Sequence, residues 1–251
     1  MRKPFIAGNW KMNTNSANAV SLAAGLVKEL KGIDTVDVAV CPPFVYLQSV
    51  AAALSASNIA LGSQNVYFEE KGAFTGEISC AMLKDASCTY AIVGHSERRH
   101  VMGETDAIIN KKVSAAISSG LLPIFCVGEL LEERQGGTTN EVVSKQVKKG
   151  LEGLDVERVQ AVTVAYEPVW AIGTGLTATP QQAQEVHAMI RGLLAEMYGN
   201  EIAQLIRIQY GGSAKPGNTA ELMAQPDVDG LLVGGASLKI EDFAAMVKTI
   251  A

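Results

Sequence analysis

Short β-rich runs separated by helical patterns recur along the whole chain, and this alternation limits the possible folds more than any other feature. The runs are Phe5 to Gly8, Val36 to Cys41, Ile59 to Ser63, Thr89 to Val93, Leu122 to Val127, Ala161 to Ala165, Leu205 to Gln209 and Gly230 to Val233. Several are nearly continuous apolar stretches, as expected of parallel strands covered on both faces, which disfavours an antiparallel sandwich. The helical period is clearest in two places. Ala19, Leu22, Ala23, Leu26 and Leu30 fall on one side of a helix, and so do Ala183, Val186, Ile190, Leu193 and Met197. The second of these helices has a marked start, with Thr179 as cap, Pro180 at the first helical position and Gln182 where a capping box needs it. Further helices are expected over Ile78 to Ala86 and from about Glu241 to the end. Eight units in 251 residues give about 31 residues each, the length of a minimal strand, crossover and helix. The pattern predicts an α/β protein in which residues 1–251 form one domain, a single (β/α)8 barrel. An open doubly wound sheet shares the alternation and is the alternative.

Charge and cysteine usage narrow the function. With 26 acidic and 21 basic residues, a formal net charge of −5 leaves no overall basic surface for nucleic acid or anionic lipid, so any anionic ligand must be held by a local site. Residues 38–68 carry no charge, but Pro42, Pro43, Gln48, Ser49, Ser57, Asn58 and Gln64 interrupt them well before the roughly 20 apolar residues a membrane helix needs. Arg2 and Lys3 precede an apolar stretch of only Pro4 to Gly8, too short for a secretory signal, so a cytoplasmic location is expected. Cys41, Cys80, Cys88 and Cys126 show no C-x-x-C pair and no histidine at zinc-ligand spacing, and they read as buried thiols.

In a barrel every strand's C-terminal end points to one face, the face where such folds keep their chemistry. The strand ends are Asn9-Trp10-Lys11, Cys41-Pro42-Pro43, Gln64-Asn65, Gly94-His95-Ser96-Glu97, Gly128-Glu129, Glu167-Pro168, Gly211-Gly212-Ser213 and Gly234-Gly235. Glu167 closes an apolar strand before a proline, and a partly desolvated carboxylate there can have its proton affinity raised toward the working pH, as a general base requires; a salt-bridged strand-end Glu is the alternative. Among the three histidines only His95 ends a strand. Next to a helix N-terminus its imidazole should resist protonation and still donate a hydrogen bond. His100 lies in a charged run and reads as solvated, and His187 flanks the stripe of the capped helix and reads as packed. Lys11 is either a ligand cation or the ion-pair partner of Glu97. The glycines after the seventh and eighth strands are where barrels often bind phosphate through backbone N–H groups, although each pair alone also suits a tight turn.

Gly173-Thr174-Gly175-Leu176-Thr177-Ala178 fits G-x-G-x-x-A, but Pro168 to Ile172 separate it from the preceding strand and Glu196 lies on a helix, so a dinucleotide turn is rejected. Pro168 to Ala178 reads better as a lid, rigid at the proline and permissive at the glycines. The connection from Gln64 to Ile78, with Phe68, Phe74 and two glycines, is longer than joining a strand to a helix requires, and it is a candidate for reaching into a second subunit.

These residues resemble the triosephosphate isomerase family along essentially the whole chain. The resemblance rests on Asn9-Trp10-Lys11-Met12-Asn13, the run from Ala91 to Arg99, the run from Ala165 to Gly175, Tyr210-Gly211-Gly212-Ser213 and Gly234-Gly235-Ala236-Ser237, in the family's order. It implies interconversion of dihydroxyacetone phosphate and D-glyceraldehyde 3-phosphate through an enediol. Glu167 would be the base and neutral His95 the electrophile; Lys11 would supply positive charge, with Asn9 beside it. Gly173, Ser213, Gly234 and Gly235 would hold the phosphate. No metal or organic cofactor is implied. The resemblance also implies a homodimer in which the Gln64 to Ile78 loop, through Thr75, approaches the neighbour's Asn9, Lys11 and His95. One position departs: many relatives carry lysine at the lid's C-terminal hinge, where this chain has Leu176. The rival readings are another phosphosugar isomerase or aldolase on this fold, and a non-catalytic phosphosugar-binding barrel. A Schiff-base aldolase needs a lysine inside the strands, and these strands have none.

Overall fold

A computed structural model describes residues 2–173 and 175–251. Thr174, at the glycine end of the expected lid, lies outside the described residues. The chain runs β1 (Phe5–Asn9), α1 (Ser16–Glu29), β2 (Asp37–Cys41), α2 (Leu47–Leu54), β3 (Ile59–Ser63), α3 (Cys80–Asp85), β4 (Tyr90–Val93), α4 (Ser96–His100) and α5 (Asp106–Ser118). It continues through β5 (Leu122–Val127), α6 (Leu131–Gln135), α7 (Thr139–Gly150), β6 (Thr163–Tyr166), α8 (Pro180–Tyr198), α9 (Asn200–Ala203), β7 (Arg207–Tyr210), α10 (Pro216–Met223), β8 (Gly230–Val233) and α11 (Ile240–Thr249). Each strand pairs in parallel with its sequence neighbours, and β8 pairs with β1, Phe5 opposite Gly230, so the sheet closes. The barrel is the (β/α)8 fold that the alternation predicts, and closure excludes the open sheet.

Strand side chains alternate between two cores. Phe5, Ala7, Ala39, Cys41, Tyr90, Ile92, Ile124, Cys126, Ala165 and Leu232 point inward and fill the barrel. Their neighbours, such as Ile6, Val40, Val93 and Val164, point outward and meet the helices. The α1 stripe from Ala19 to Leu30 is buried throughout, and α8 buries Ala183, Val186, Ile190 and Leu193, with Met197 partly covered near its end. Thr179 and Gln182 form the reciprocal capping box with Pro180 in the first turn. All four cysteines are buried and free.

β2 and β4 begin one residue later than the sequence suggests, and β6 and β7 two residues later. Arg158–Ala161 coils as a 3-10 turn, so β6 starts at Thr163 and extends to Tyr166. Leu205 sits in the turn after α9 with 60% of its surface exposed, and β7 starts at Arg207. In both places apolar residues of a helical turn mimic the start of a strand. The expected helix over Ile78 to Ala86 is a short one, opened by the Ser79 hydroxyl, which accepts from the Met82 N–H at 3.3 Å.

His187 is packed as expected, with no exposed surface. Its Nδ1 lies 3.1 Å from the Asp227 carbonyl, and its ring meets Tyr166 edge-on at 5.8 Å. Burial lowers its pKa from 6.5 to about 4, against a smaller opposing pull from the Asp227 carbonyl. The unfolded chain therefore takes up a proton that the folded chain refuses. Stability should fall by up to about 3 kcal/mol as pH drops from about 6.5 to about 4, because the unfolded state binds more protons there. Urea unfolding at several pH values checks this, with His187→Gln expected to flatten the trend over that window.

Candidate active site

The eight residues singled out from the sequence come together. Asn9, Lys11, His95, Glu167, Gly173, Ser213, Gly234 and Gly235 line one cavity of about 430 Å³ at the C-terminal mouth of the barrel. Backbone groups fix the first corner. Asn9 ends β1 and its side-chain oxygen accepts the Lys11 N–H at 3.0 Å, while Gln64 donates to the carbonyls of Lys11 and Cys41 at 2.8 Å each. Held between them, Lys11 adopts a left-handed backbone with φ of 52°, a conformation costing roughly 1–2 kcal/mol for a residue with a Cβ. Its ammonium lies 2.6 Å from the Glu97 carboxylate. Lys11 is thus both a cavity-lining cation and one half of an ion pair.

Glu167 is seated on neighbouring backbone. Its N–H donates to Val127 O at 2.7 Å, and Gly211 N donates to Tyr166 O at 2.7 Å. Two glycines make the seat possible. A Cβ on Gly128 would stand 1.7 Å from Glu167 O, and one on Gly211 would stand 2.8 Å from Glu167 Cγ. The side chain is buried, with 2% of its surface exposed. One oxygen accepts the Ser96 N–H at 2.8 Å and the other lies 2.9 Å from His95 Nε2.

The pair's proton affinities differ from the sequence expectation. Burial pushes the Glu167 carboxyl up, but His95, the Ser96 N–H and Lys11 together outweigh it and hold the pKa below 4.5. Burial likewise pulls His95 down, but the Glu167 charge and the hydrogen bond to it dominate and hold its pKa above 6.5. Direct contact between the two groups, which sequence spacing does not reveal, reverses both directions. The tautomer is nonetheless set by the backbone. His95 Nδ1 accepts the Glu97 N–H at 3.2 Å at the start of α4, which leaves the proton on Nε2, facing Glu167.

The lid segment follows directly. Val169–Ala171 forms a 3-10 turn, Ala171 is buried, and Gly173 and Gly175 have φ of 71° and 84°, which glycine alone adopts freely. Leu176 is half exposed. Glu129 is a participant that sequence reasoning did not assign. It is fully buried and accepts from Trp170 Nε1 at 2.9 Å and from the Tyr166 hydroxyl at 3.1 Å, which ties the lid's apolar body to β5 and β6. Its place in the Gly128-Glu129 strand end was the available signal.

A second hollow, of about 370 Å³, opens on the other side of Asn9, Lys11 and His95 and is rimmed by Phe44, Glu97 and Met102. Met12, Phe44 and Met102 are exposed along it. The Gln64 to Ile78 loop stands beside it, pinched by a Tyr67 N–H to Ile78 O bond of 2.8 Å and packed on its own aromatics, Tyr67 stacking on Phe68 and tilting against Phe74. Thr75, at its tip, is exposed.

Fold and cavity together define the class, a (β/α)8-barrel enzyme whose mouth holds a carboxylate and an imidazole in contact. A family model described as Triosephosphate isomerase matches residues 4–250. The chain belongs to the triosephosphate isomerase family. It is 60% identical to the triosephosphate isomerase of Carboxydothermus hydrogenoformans, over 99% of each chain. It is 57% identical to that of Moorella thermoacetica, over 98% of each, and 54% identical to that of Syntrophotalea carbinolica, over 99% of this chain and 98% of the relative.

Proposed function

We propose that the protein interconverts dihydroxyacetone phosphate and D-glyceraldehyde 3-phosphate through an enediol, the isomerisation used in glycolysis and gluconeogenesis. The carrying observation is the 2.9 Å contact between Glu167 and His95 Nε2 in a cavity that also holds Lys11 and the glycine turns. A carbon acid next to a carbonyl is weak, so its anion needs electrostatic stabilisation while a fixed base waits close by. Glu167, held ionised, removes the proton from one carbon and returns it to the adjacent one. His95 donates its Nε2–H to the carbonyl oxygen and takes back the proton of the neighbouring hydroxyl as that oxygen becomes the new carbonyl, and Lys11 places positive charge beside the developing enediolate. The backbone N–H groups of Gly173, Ser213, Gly234 and Gly235 receive the phosphate.

Substrate entering the cavity separates Glu167 from His95 and removes the pull that raises the imidazole's pKa. Burial and the charge of Lys11 then favour the neutral ring, whereas Glu97 alone favours the cation. The same separation frees the carboxylate from its partners and strengthens it as a base. Closure of the lid over the site excludes water and keeps the intermediate from losing phosphate. The reaction written this way calls on no metal or organic cofactor.

The proposal extends to assembly and location. The exposed apolar rim around the second hollow suits the Phe74 and Thr75 tip of another copy's loop, giving a homodimer in which each loop approaches the other copy's Asn9, Lys11 and His95. Sedimentation equilibrium should give twice the 26.5 kDa chain mass, and Thr75→Arg should shift it toward the monomer; a monomeric parent removes the dimer from the proposal. Among the described residues no helix is long and apolar enough to cross a membrane. With the net acidic charge, this supports a cytoplasmic enzyme whose partners are small triose phosphates and not membrane or nucleic acid. A coupled assay started from each triose phosphate tests the reaction, with turnover expected in both directions. Tight binding of both sugars without conversion would instead mark a non-catalytic phosphosugar-binding barrel.

A further inference from the structure

His95 and Glu167 reach the cavity from β4 and β6, and the alignment of the two depends on β5 between them. The hydrogen-bonded register of β4 on β5 ends with Val93 opposite Phe125. Beyond that pair β4 turns through Gly94, with φ of 73°, into His95, while β5 runs on to Val127 and Gly128, which seat the Glu167 backbone. The next carbonyl on each strand is taken by one side chain. Arg99, from α4, donates through Nε to Gly94 O at 2.9 Å and through one terminal nitrogen to Cys126 O at 3.1 Å. Its other terminal nitrogen lies 2.6 Å from the Asp106 carboxylate, and the side chain is 7% exposed. A buried charge is costly unless it is paired, and Asp106 at the start of α5 supplies the pairing.

We infer that the Arg99 side chain is a positioning group for the isomerisation: it clamps the ends of β4 and β5 where their ladder stops, and so fixes the separation of His95 and Glu167 without the guanidinium bonding to either, the residue's one bond to His95 being its backbone N–H to the His95 carbonyl at 3.1 Å in the first turn of α4. The planar guanidinium presents donors in a rigid fork that spans two carbonyls, whereas a lysine ammonium can satisfy one and leaves the other buried without a donor. Gly94 follows from the same arrangement. A Cβ there would stand 3.3 Å from the Arg99 guanidinium and 3.0 Å from Ile109. The inference rests on the proposed reaction, since it concerns the alignment of its two acting groups.

The test compares Arg99→Lys and Asp106→Asn with the parent enzyme. Arg99→Lys should lower kcat by about 10- to 100-fold, the penalty for displacing reacting groups by up to about 1 Å, with KM nearly unchanged. The ¹⁵N resonance of His95 Nε2 should shift in the free enzyme. Asp106→Asn breaks the ion pair and leaves both carbonyl bonds, so it should lower Tm yet keep kcat within about twofold and the His95 resonance in place. Unaltered kcat and an unaltered His95 resonance in Arg99→Lys overturn the inference, as does an equal loss of kcat in both variants. Should Arg99→Lys not fold, the parent protein supplies the answer: the Arg99 Nε–H should exchange slowly with solvent and shift when glycerol 3-phosphate binds, and a fast-exchanging Nε–H overturns the inference. A parent without isomerase activity contradicts the proposed function, whereas the resonance measurements still report on the clamp.

Discussion

Replacing Glu167 by Gln is expected to reduce turnover by at least roughly 10²- to 10⁴-fold, the share that a positioned general base supplies. The side chain keeps its size, so the Gly128 and Gly211 seat is undisturbed, and affinity for glycerol 3-phosphate should stay within a few-fold of the parent. What is lost is a second acceptor. An amide offers one oxygen where the carboxylate offers two, so it can satisfy the Ser96 N–H or His95 Nε2 but not both, and it cannot take up a carbon-bound proton. Glu167→Asp separates position from chemistry. It retains the base and retracts it by one methylene, so the loss should be smaller than for Gln yet still on the order of 10²-fold, as misplacement by about 1 Å costs. Steady-state kinetics with calorimetric binding of glycerol 3-phosphate reads both effects. Unchanged turnover in Glu167→Gln removes this residue from the mechanism.

The second large effect is expected at Lys11. Lys11→Met keeps the aliphatic stem and removes the charge, and kcat/KM should fall by roughly 10²- to 10³-fold, as when one preorganised electrostatic stabiliser of a transition state is deleted. The ion pair makes this substitution worse than simple neutralisation. Glu97, on the rim of the second hollow, accepts the Lys11 ammonium at 2.6 Å and would keep its negative charge next to the cavity with that cation gone. Binding should therefore weaken along with turnover. The double variant Lys11→Met with Glu97→Gln should recover part of the affinity but little of the turnover, because it removes the repulsion without restoring the cation. Kinetics of the three variants in one buffer separate these contributions. Equal recovery of both quantities would mean that Lys11 serves only to neutralise Glu97.

The barrel and the membership of its mouth are legible in the sequence because both are periodic. Parallel strands covered on both faces are written as apolar runs, and their ends fall at regular intervals, so Asn9, Lys11, His95, Glu167 and the two glycine pairs can be collected before any coordinates are known. Contacts between units are not written that way. Nothing in the spacing of His95 and Glu167 says that they touch, and that contact reverses the expected direction of both pKa values. Arg99 looks like one more charge in a solvated run, yet it is buried because two strand-end carbonyls need donors where the ladder stops. Glu129 is hidden for a similar reason, since its partners Tyr166 and Trp170 come from the next strand and the lid. The misplaced starts of β6 and β7 are the local counterpart, where apolar residues of a short helical turn read like strand until the neighbouring strands set the register.

The most direct test follows hydrogen at carbon. With dihydroxyacetone phosphate supplied in deuterium oxide and the product trapped as it forms, a proton resting on the Glu167 carboxylate can exchange with solvent before it returns to the adjacent carbon. A substantial fraction of the glyceraldehyde 3-phosphate should then carry deuterium at C2 by NMR. Product carrying only hydrogen at C2, and formed as fast by Glu167→Gln as by the parent, would mean that the atom passes between the carbons without this carboxylate, and the base–enediol account would be wrong.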